Sequence, residues 1–321
     1  MKEKVLVTGS AGQIGCELVP ALRTRLGKEN VVAGTYRKGF PDDGDSGPSA
    51  EVDVTRREDV ARTIKQHGVD TVYHLAAVIS AVGERDPQTA WSVNMEGLKN
   101  VLDASRENGV RRVYWASSAA VFGPDAPKKM APQDAPLNPT TIYGVTKVAG
   151  ELLCNYYFLK YGFDIRSIRY PGIISNKAMP GGGTTDYAVE IFYAAIQKGS
   201  YQCYLRQDTA LPMMYMPDCI RATLMIMDAP LESVPRHAGY NLSGMSFTPG
   251  ELAAEIRRRL PDFACTYSPD GRQKIADSWP GSIDDKEARR DWGWRPTIGL
   301  AAMTDDMLSS LSERLSGSRA S

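Results

Sequence analysis

Tyr143 and Lys147, four residues apart in Y-G-V-T-K, offer the most distinctive chemistry in the chain. On a helix they share one face. An ordinary tyrosine loses its proton only near pH 10, so it is a poor base at neutral pH. A neighbouring ammonium favours the phenolate and lowers such a pKa by roughly 1–3 units. That makes Tyr143 a candidate general base and Lys147 its electrostatic partner. A second reactive group lies upstream. Ser117 and Ser118 follow a strand-like stretch in S-S-A-A-V-F-G and place hydroxyls where a strand ends.

These groups need a reactant to work on, and the N-terminus suggests one. Residues 8–15 read T-G-S-A-G-Q-I-G between an apolar strand and a helix, with Gln13 and Ile14 inside the motif. In that placement Gly9 permits a tight turn, Gly12 lets the backbone approach a pyrophosphate, and Gly15 allows close helix–sheet packing. The helix N-terminus then presents free N–H groups to phosphates. The motif predicts a dinucleotide cofactor, with Lys147 also bonding its ribose. An acidic residue at the end of the second strand would bind the 2′-hydroxyl of NAD. Here that position is Thr35, with Arg37 two residues on. A neutral residue beside an arginine leaves NADP open alongside NAD.

The elements that must position these residues alternate strand and helix. Strands are expected at 5–8, 31–34, 71–75, 112–116 and 164–170, and helices at 13–25, 58–67, 89–108 and 143–161. Short apolar strands joined by helices predict an α/β fold, a doubly wound parallel (Rossmann) sheet covered on both faces. Residues 38–49, rich in Gly, Pro, Asp and Ser, read as a surface loop. Beyond Pro171 the pattern becomes irregular, with helices expected at 184–197 and 248–260, the latter opened by Thr248 and Pro249, and a strand at 240–242. This predicts a small interleaved substrate-binding lobe. Residues 1–170 and about 212–242 form the dinucleotide domain, and 171–211 and 243–321 form the lobe.

Composition removes other classes. Hydrophobic residues make up 42% and charged residues 24% of 321, and the formal net charge is zero, which argues against nucleic acid as a partner. The basic run Arg257–Arg259 reads as cations at a helix C-terminus. Five widely spaced cysteines, no C-x-x-C and three histidines give no disulfide framework and no metal site, and they fit a reducing cytoplasm. The chain opens straight into a strand, so no leader is expected. No apolar stretch is long enough to span a membrane.

The G-x-x-G-x-x-G spacing with Y-x-x-x-K resembles the extended short-chain dehydrogenases/reductases, the epimerase/dehydratase-like branch. That resemblance implies Ser118, rather than Ser117, as the hydroxyl that holds the reacting oxygen. It implies cofactor contacts from Leu75, Ala76 and Ala77 in H-L-A-A, from Asp53 and Val54, and from Tyr170, with Asn94 structural. His74 has no implied role and reads as a packed core histidine.

Several blocks narrow the resemblance to the short-chain type of L-threonine 3-dehydrogenase. They are S-A-V-G-E at 80–84, R-Y-P-G-I-I-S at 169–175, P-G-G-G-T-T-D-Y at 180–187, L-P-M-M-Y-M-P-D at 211–218, M-S-F-T at 245–248 and I-A-D-S-W-P at 275–280. The resemblance spans nearly the whole chain. It implies L-threonine as substrate, NAD as cofactor, and substrate contacts from Ser80, Ser118, Tyr143, Gly183, Thr184, Thr185 and Trp279. It also implies a downstream 2-amino-3-oxobutanoate CoA ligase and a homodimer formed by helices 89–108 and 143–161, which carry Trp91, Leu152, Tyr156 and Tyr157. Three consecutive glycines suit a loop that closes over a ligand, or a static turn. Two rivals stay open: a nucleotide-sugar epimerase or dehydratase, and a non-catalytic cofactor-sensing protein.

Overall fold

The computed structural model describes residues 2–36, 47–179 and 181–317. Its main sheet has seven parallel strands in the order β10-β6-β5-β4-β1-β2-β3. These are β1 (Val5–Thr8), β2 (Val31–Thr35), β3 (Ser49–Glu51), β4 (Thr71–His74), β5 (Arg112–Ser118), β6 (Asp164–Tyr170) and β10 (Tyr240–Asn241). The order reverses between β1 and β4, where an open α/β sheet leaves a crevice at its carboxyl edge. One face is covered by α2 (Arg57–His67), α5 (Gly97–Glu107) and α6 (Ile142–Tyr161), through Val60, Leu98, Val101 and Cys154. The other is covered by α1 (Gly15–Leu26), α8 (Met216–Asp228) and α11 (Lys286–Trp292).

The smaller lobe is built from β7 (Gly172–Ile174), β9 (Leu211–Tyr215) and β11 (Met245–Phe247) in one sheet, and β8 (Ser200–Cys203) with β12 (Ala264–Tyr267) in another. Its core gathers Phe192, Leu211, Leu252 and Met307 from α7 (Tyr187–Lys198), β9, α9 (Pro249–Arg257) and α12 (Leu300–Gly317). Thr248 and Glu251 form the capping box that opens α9. Trp292 and Trp294, from the C-terminal quarter, join the core under the main sheet. Among the described residues no helix is long and apolar enough to cross a membrane.

Three elements differ from the sequence expectation. The helix expected over 89–108 is α4 (Pro87–Trp91), a π turn at Ser92–Glu96, then α5. The helix expected from 184 starts at Tyr187, because Asp186 folds the preceding residues into a turn. Most of the expected surface loop, residues 38–46, lies outside the described residues, and Ser49 already belongs to the edge strand β3.

Two glycines set the position of α6. A Cβ on Gly150 would lie 2.4 Å from the Trp115 ring, and one on Gly144 would lie 2.4 Å from the Ala120 carbonyl oxygen. Their absence of side chains lets α6 rest directly on β5 and on the turn beyond it. The first turns of α6 therefore come beside the end of β5, where Ser118 sits.

Candidate active site

The end of β5 separates its two serines. Ser117 is turned into the core, where its hydroxyl donates to Glu151 at 2.6 Å and Glu151 grips Arg169 through two bonds. Ser118 points to the opposite face of the strand, where its hydroxyl oxygen accepts from the Ala120 N–H at 3.2 Å and lies beside the Tyr143 phenol. Burial pushes the Tyr143 phenol above its ordinary value, and the Ser118 hydroxyl beside it opposes that rise. Lys147 donates to the Ala116 carbonyl at 2.6 Å, with its nitrogen 5.4 Å from the centre of the Tyr143 ring. Burial lowers its ammonium to about 8. The sequence expectation was a phenol lowered by lysine. In this structure desolvation dominates, because both groups are taken out of water and the ammonium is engaged by a backbone carbonyl.

The glycine motif forms a cradle whose parts act differently from one another. Gly9, at φ +70°, lies against the chain after β4, and a Cβ there would meet the Ala76 nitrogen at 2.6 Å. A Cβ on Gly15 would meet Gly9 and Ser10 backbone at 2.4–2.7 Å. Both serve close packing. A Cβ on Gly12 would meet only the Gly9 carbonyl oxygen, so its remaining surroundings are open. Open backbone at the head of α1 fits a pyrophosphate, and Gly12, Gln13 and Ile14 would hold it. The nicotinamide dinucleotide supplies a hydride acceptor when bound.

The other cofactor candidates surround this cradle. Leu75 is tied to Thr8 and packs with Ala76 behind Gly9. Asn94, in the π turn, accepts the Val78 N–H and donates to the Val78 carbonyl and the Thr146 hydroxyl. It thus ties the segment after Ala77 to α6, the kind of task for which π turns recur at functional sites. Asp53 spends its carboxylate on the Thr55 N–H and hydroxyl, and the Val54 carbonyl accepts from Asn100. Thr35 is buried at the end of β2. Arg37 lies outside the described residues. The Tyr170 hydroxyl is engaged with Tyr114 and Thr223 in the core, so its side-chain oxygen does not serve the crevice. His74 bonds Thr8 at 2.7 Å and is lowered to about 3 by burial and by Lys147, so it stays neutral.

Ser80 and Thr184, both buried, bring their hydroxyls to 3.4 Å across the two lobes. The glycine-rich segment is a bonded turn. Asp186 accepts the N–H groups of Gly182 (2.7 Å) and Gly183 (2.5 Å), and Tyr204 bonds the Tyr187 N–H and the Gly183 carbonyl. Thr185 packs its methyl against Gly172. These bonds favour the static turn over the closing loop. Pro180 lies outside the described residues. Trp279 follows α10 (Gly271–Ser278), and Lys128 holds its carbonyl and that of Asp277. Asp186 escaped the sequence reading, although an Asp immediately before an apolar run is a helix-start signal.

Crevice, cradle and Ser–Tyr–Lys group together define a dinucleotide-dependent oxidoreductase of the extended short-chain type. The chain belongs to the NAD dependent epimerase/dehydratase family, which it matches over residues 5–242. It is 45% identical over 309 residues to the mitochondrial L-threonine 3-dehydrogenase of Bos taurus, covering 96% of this chain and 82% of that one. Among solved structures it resembles the GalE-like L-threonine dehydrogenase of Cupriavidus necator in its holo form. The identity is 48% and the TM-score 0.94, over 96% of this chain and 99% of that one. A monomeric L-threonine 3-dehydrogenase from a metagenome, in its apo form, is 47% identical with a TM-score of 0.93, over 97% of this chain and 99% of that one.

Proposed function

We propose that this protein oxidises the β-hydroxyl of L-threonine to the ketone of 2-amino-3-oxobutanoate, with NAD as hydride acceptor. The observation that carries the reading is the grouping of Ser118, Tyr143 and Lys147 at the carboxyl edge of the sheet, in a chain so similar to L-threonine dehydrogenases over nearly its whole length. Ser118 holds the substrate hydroxyl and Tyr143 removes its proton. Lys147 favours the phenolate and orients the ribose. Ser80, Thr184, Thr185, the Gly183 backbone and Trp279 enclose the amino acid. A nucleotide-sugar substrate would need cations for its diphosphate, whereas the segment 181–185 offers glycines and threonines. Tyr143→Phe tests the reading: turnover is lost and NAD affinity is kept.

NAD rather than NADP is the proposed cofactor, from the likeness to threonine dehydrogenases. The product is a β-keto acid that a CoA-dependent ligase would consume. The five free cysteines fit a cytoplasmic setting. We also propose a homodimer through α6 and the helical segment 89–108 that α4 and α5 carry. Leu152, Tyr156, Leu159 and Tyr161 are exposed on it, with Trp91 nearby on α4. Tyr157, expected on the same face, is instead buried and donates to Asp103 at 2.6 Å. Light scattering at micromolar concentration should give twice the chain mass, falling to one chain mass in Leu152→Lys/Leu159→Lys. A wild type of single mass would refute the dimer.

A further inference from the structure

The first turn of α6 leaves several backbone N–H groups without intrahelical acceptors. Thr141, its cap, serves one of them: its hydroxyl oxygen accepts from Gly144 at 3.1 Å. The N–H of Ile142, immediately before Tyr143, is served from elsewhere in the chain. It donates to the Glu84 carboxylate at 2.7 Å. Glu84 belongs to the short helix α3 (Ser80–Arg85), which begins with Ser80. The contact is reinforced by Gly83, where a Cβ would stand only 3.3 Å from Ile142 Cγ2, so the absence of a side chain lets α3 lie against the head of α6. A carboxylate at a helix N-terminus is also favoured by the helix dipole.

This arrangement has a geometric consequence. Ser80 and Glu84 lie one turn apart on the same face of α3. Ser80 faces Thr184 at 3.4 Å, and Glu84 grips the residue before Tyr143. One short helix therefore spans from the Ser80–Thr184 pair to the helix that carries the base. We infer that Glu84 is a positioning residue that fixes the separation of Ser80 and Tyr143, and so the placement of the substrate hydroxyl. The inference rests on the reading of Ser80 as a substrate contact. Glu84 acts by reach rather than by charge. Glutamine at this position keeps the length and an acceptor oxygen, aspartate keeps the charge but is one methylene short, and alanine keeps neither.

The test compares E84Q, E84D and E84A, each in the wild type and in S80A, by kcat/KM for L-threonine, NAD dissociation constant and Tm. E84D and E84A should each lower kcat/KM about tenfold, while E84Q stays within about twofold of wild type and NAD affinity is unchanged. Because Glu84 works through Ser80, E84D should cost less than about threefold in S80A, a non-additivity that general destabilisation does not produce. If E84A does not fold, the E84Q and E84D pair carries the comparison. E84D with wild-type kcat/KM, E84Q as impaired as E84D, or an equal loss in both backgrounds would overturn the proposal. S80A with wild-type activity would overturn the reading of Ser80 and the proposal with it, whereas an impaired S80A beside an unimpaired E84D overturns the proposal alone.

Discussion

The hydroxyls of Ser80 and Thr184, 104 residues apart in sequence, meet at 3.4 Å where the dinucleotide domain faces the smaller lobe. Ser80 opens α3 beside the cofactor segment. Thr184 is held by the turn that Asp186 and Tyr204 fasten. Two small donors at one point suit a compact zwitterion, because each can turn from its partner to a carboxylate. Thr184→Val keeps the shape and removes the hydroxyl. It should raise KM for threonine about tenfold, the cost of one hydrogen bond to a charged group, with little change in NAD affinity. Ser80→Ala should act similarly, and the double variant should lose less than the product of the two. A KM for Thr184→Val equal to that of the wild type would remove Thr184 from the substrate site.

The pH dependence follows from Tyr143 and Lys147. The phenolate is the active form, and burial holds the phenol above its ordinary value, so the phenolate is scarce at neutral pH. Turnover should rise with pH, about tenfold per unit on the acid limb. Lys147, lowered to about 8, loses its proton at lower pH than the raised phenol, so the cation that favours the phenolate is itself withdrawn as the pH rises. Lys147→Met removes that cation and should lower kcat most below about pH 8, where Lys147 is charged, and less at higher pH. A wild-type rate that falls from neutral to alkaline pH, in protein that stays folded, would contradict this assignment.

Thr35 is the residue expected to set the choice of cofactor. With Thr35 rather than an acidic residue at the end of β2, NAD should be preferred over NADP by a smaller margin than an aspartate gives. Thr35→Asp should widen that margin, chiefly through KM for NADP. A wild type with the higher kcat/KM for NADP would refute the NAD assignment.

Most strands of the main sheet could be read from the sequence because they are short, largely apolar runs buried on both faces, and Val5–Thr8 and Asp164–Tyr170 fall where expected, whereas the exposed edge strand β3 carries no such run. The Tyr143–Lys147 pair was legible for a related reason: local spacing on a helix decides which side chains share a face. Long-range contacts were not legible. The choice of Ser118 over Ser117 is explained only by Glu151, which draws Ser117 into the core. Asp186 and Glu84 act by accepting backbone N–H groups, and such partners leave no periodic trace. Tyr170, a cofactor contact implied by the resemblance, ends β6, yet Tyr114 and Thr223 take its hydroxyl. The π turn at Ser92–Glu96 likewise depends on what Asn94 must reach, namely Val78 and Thr146.

The central claim is that Tyr143 removes the proton from the β-hydroxyl of L-threonine as hydride passes to NAD. The most direct measurement follows NADH absorbance on mixing L-threonine and NAD with the wild type and with Tyr143→Phe, with NAD affinity measured in both. The wild type should reduce NAD in proportion to threonine consumed, and Tyr143→Phe should bind NAD normally and turn over at least about a thousandfold more slowly. Near wild-type turnover by Tyr143→Phe would contradict the mechanism. A wild type that leaves threonine untouched while converting a UDP- or GDP-sugar would contradict the assigned reaction.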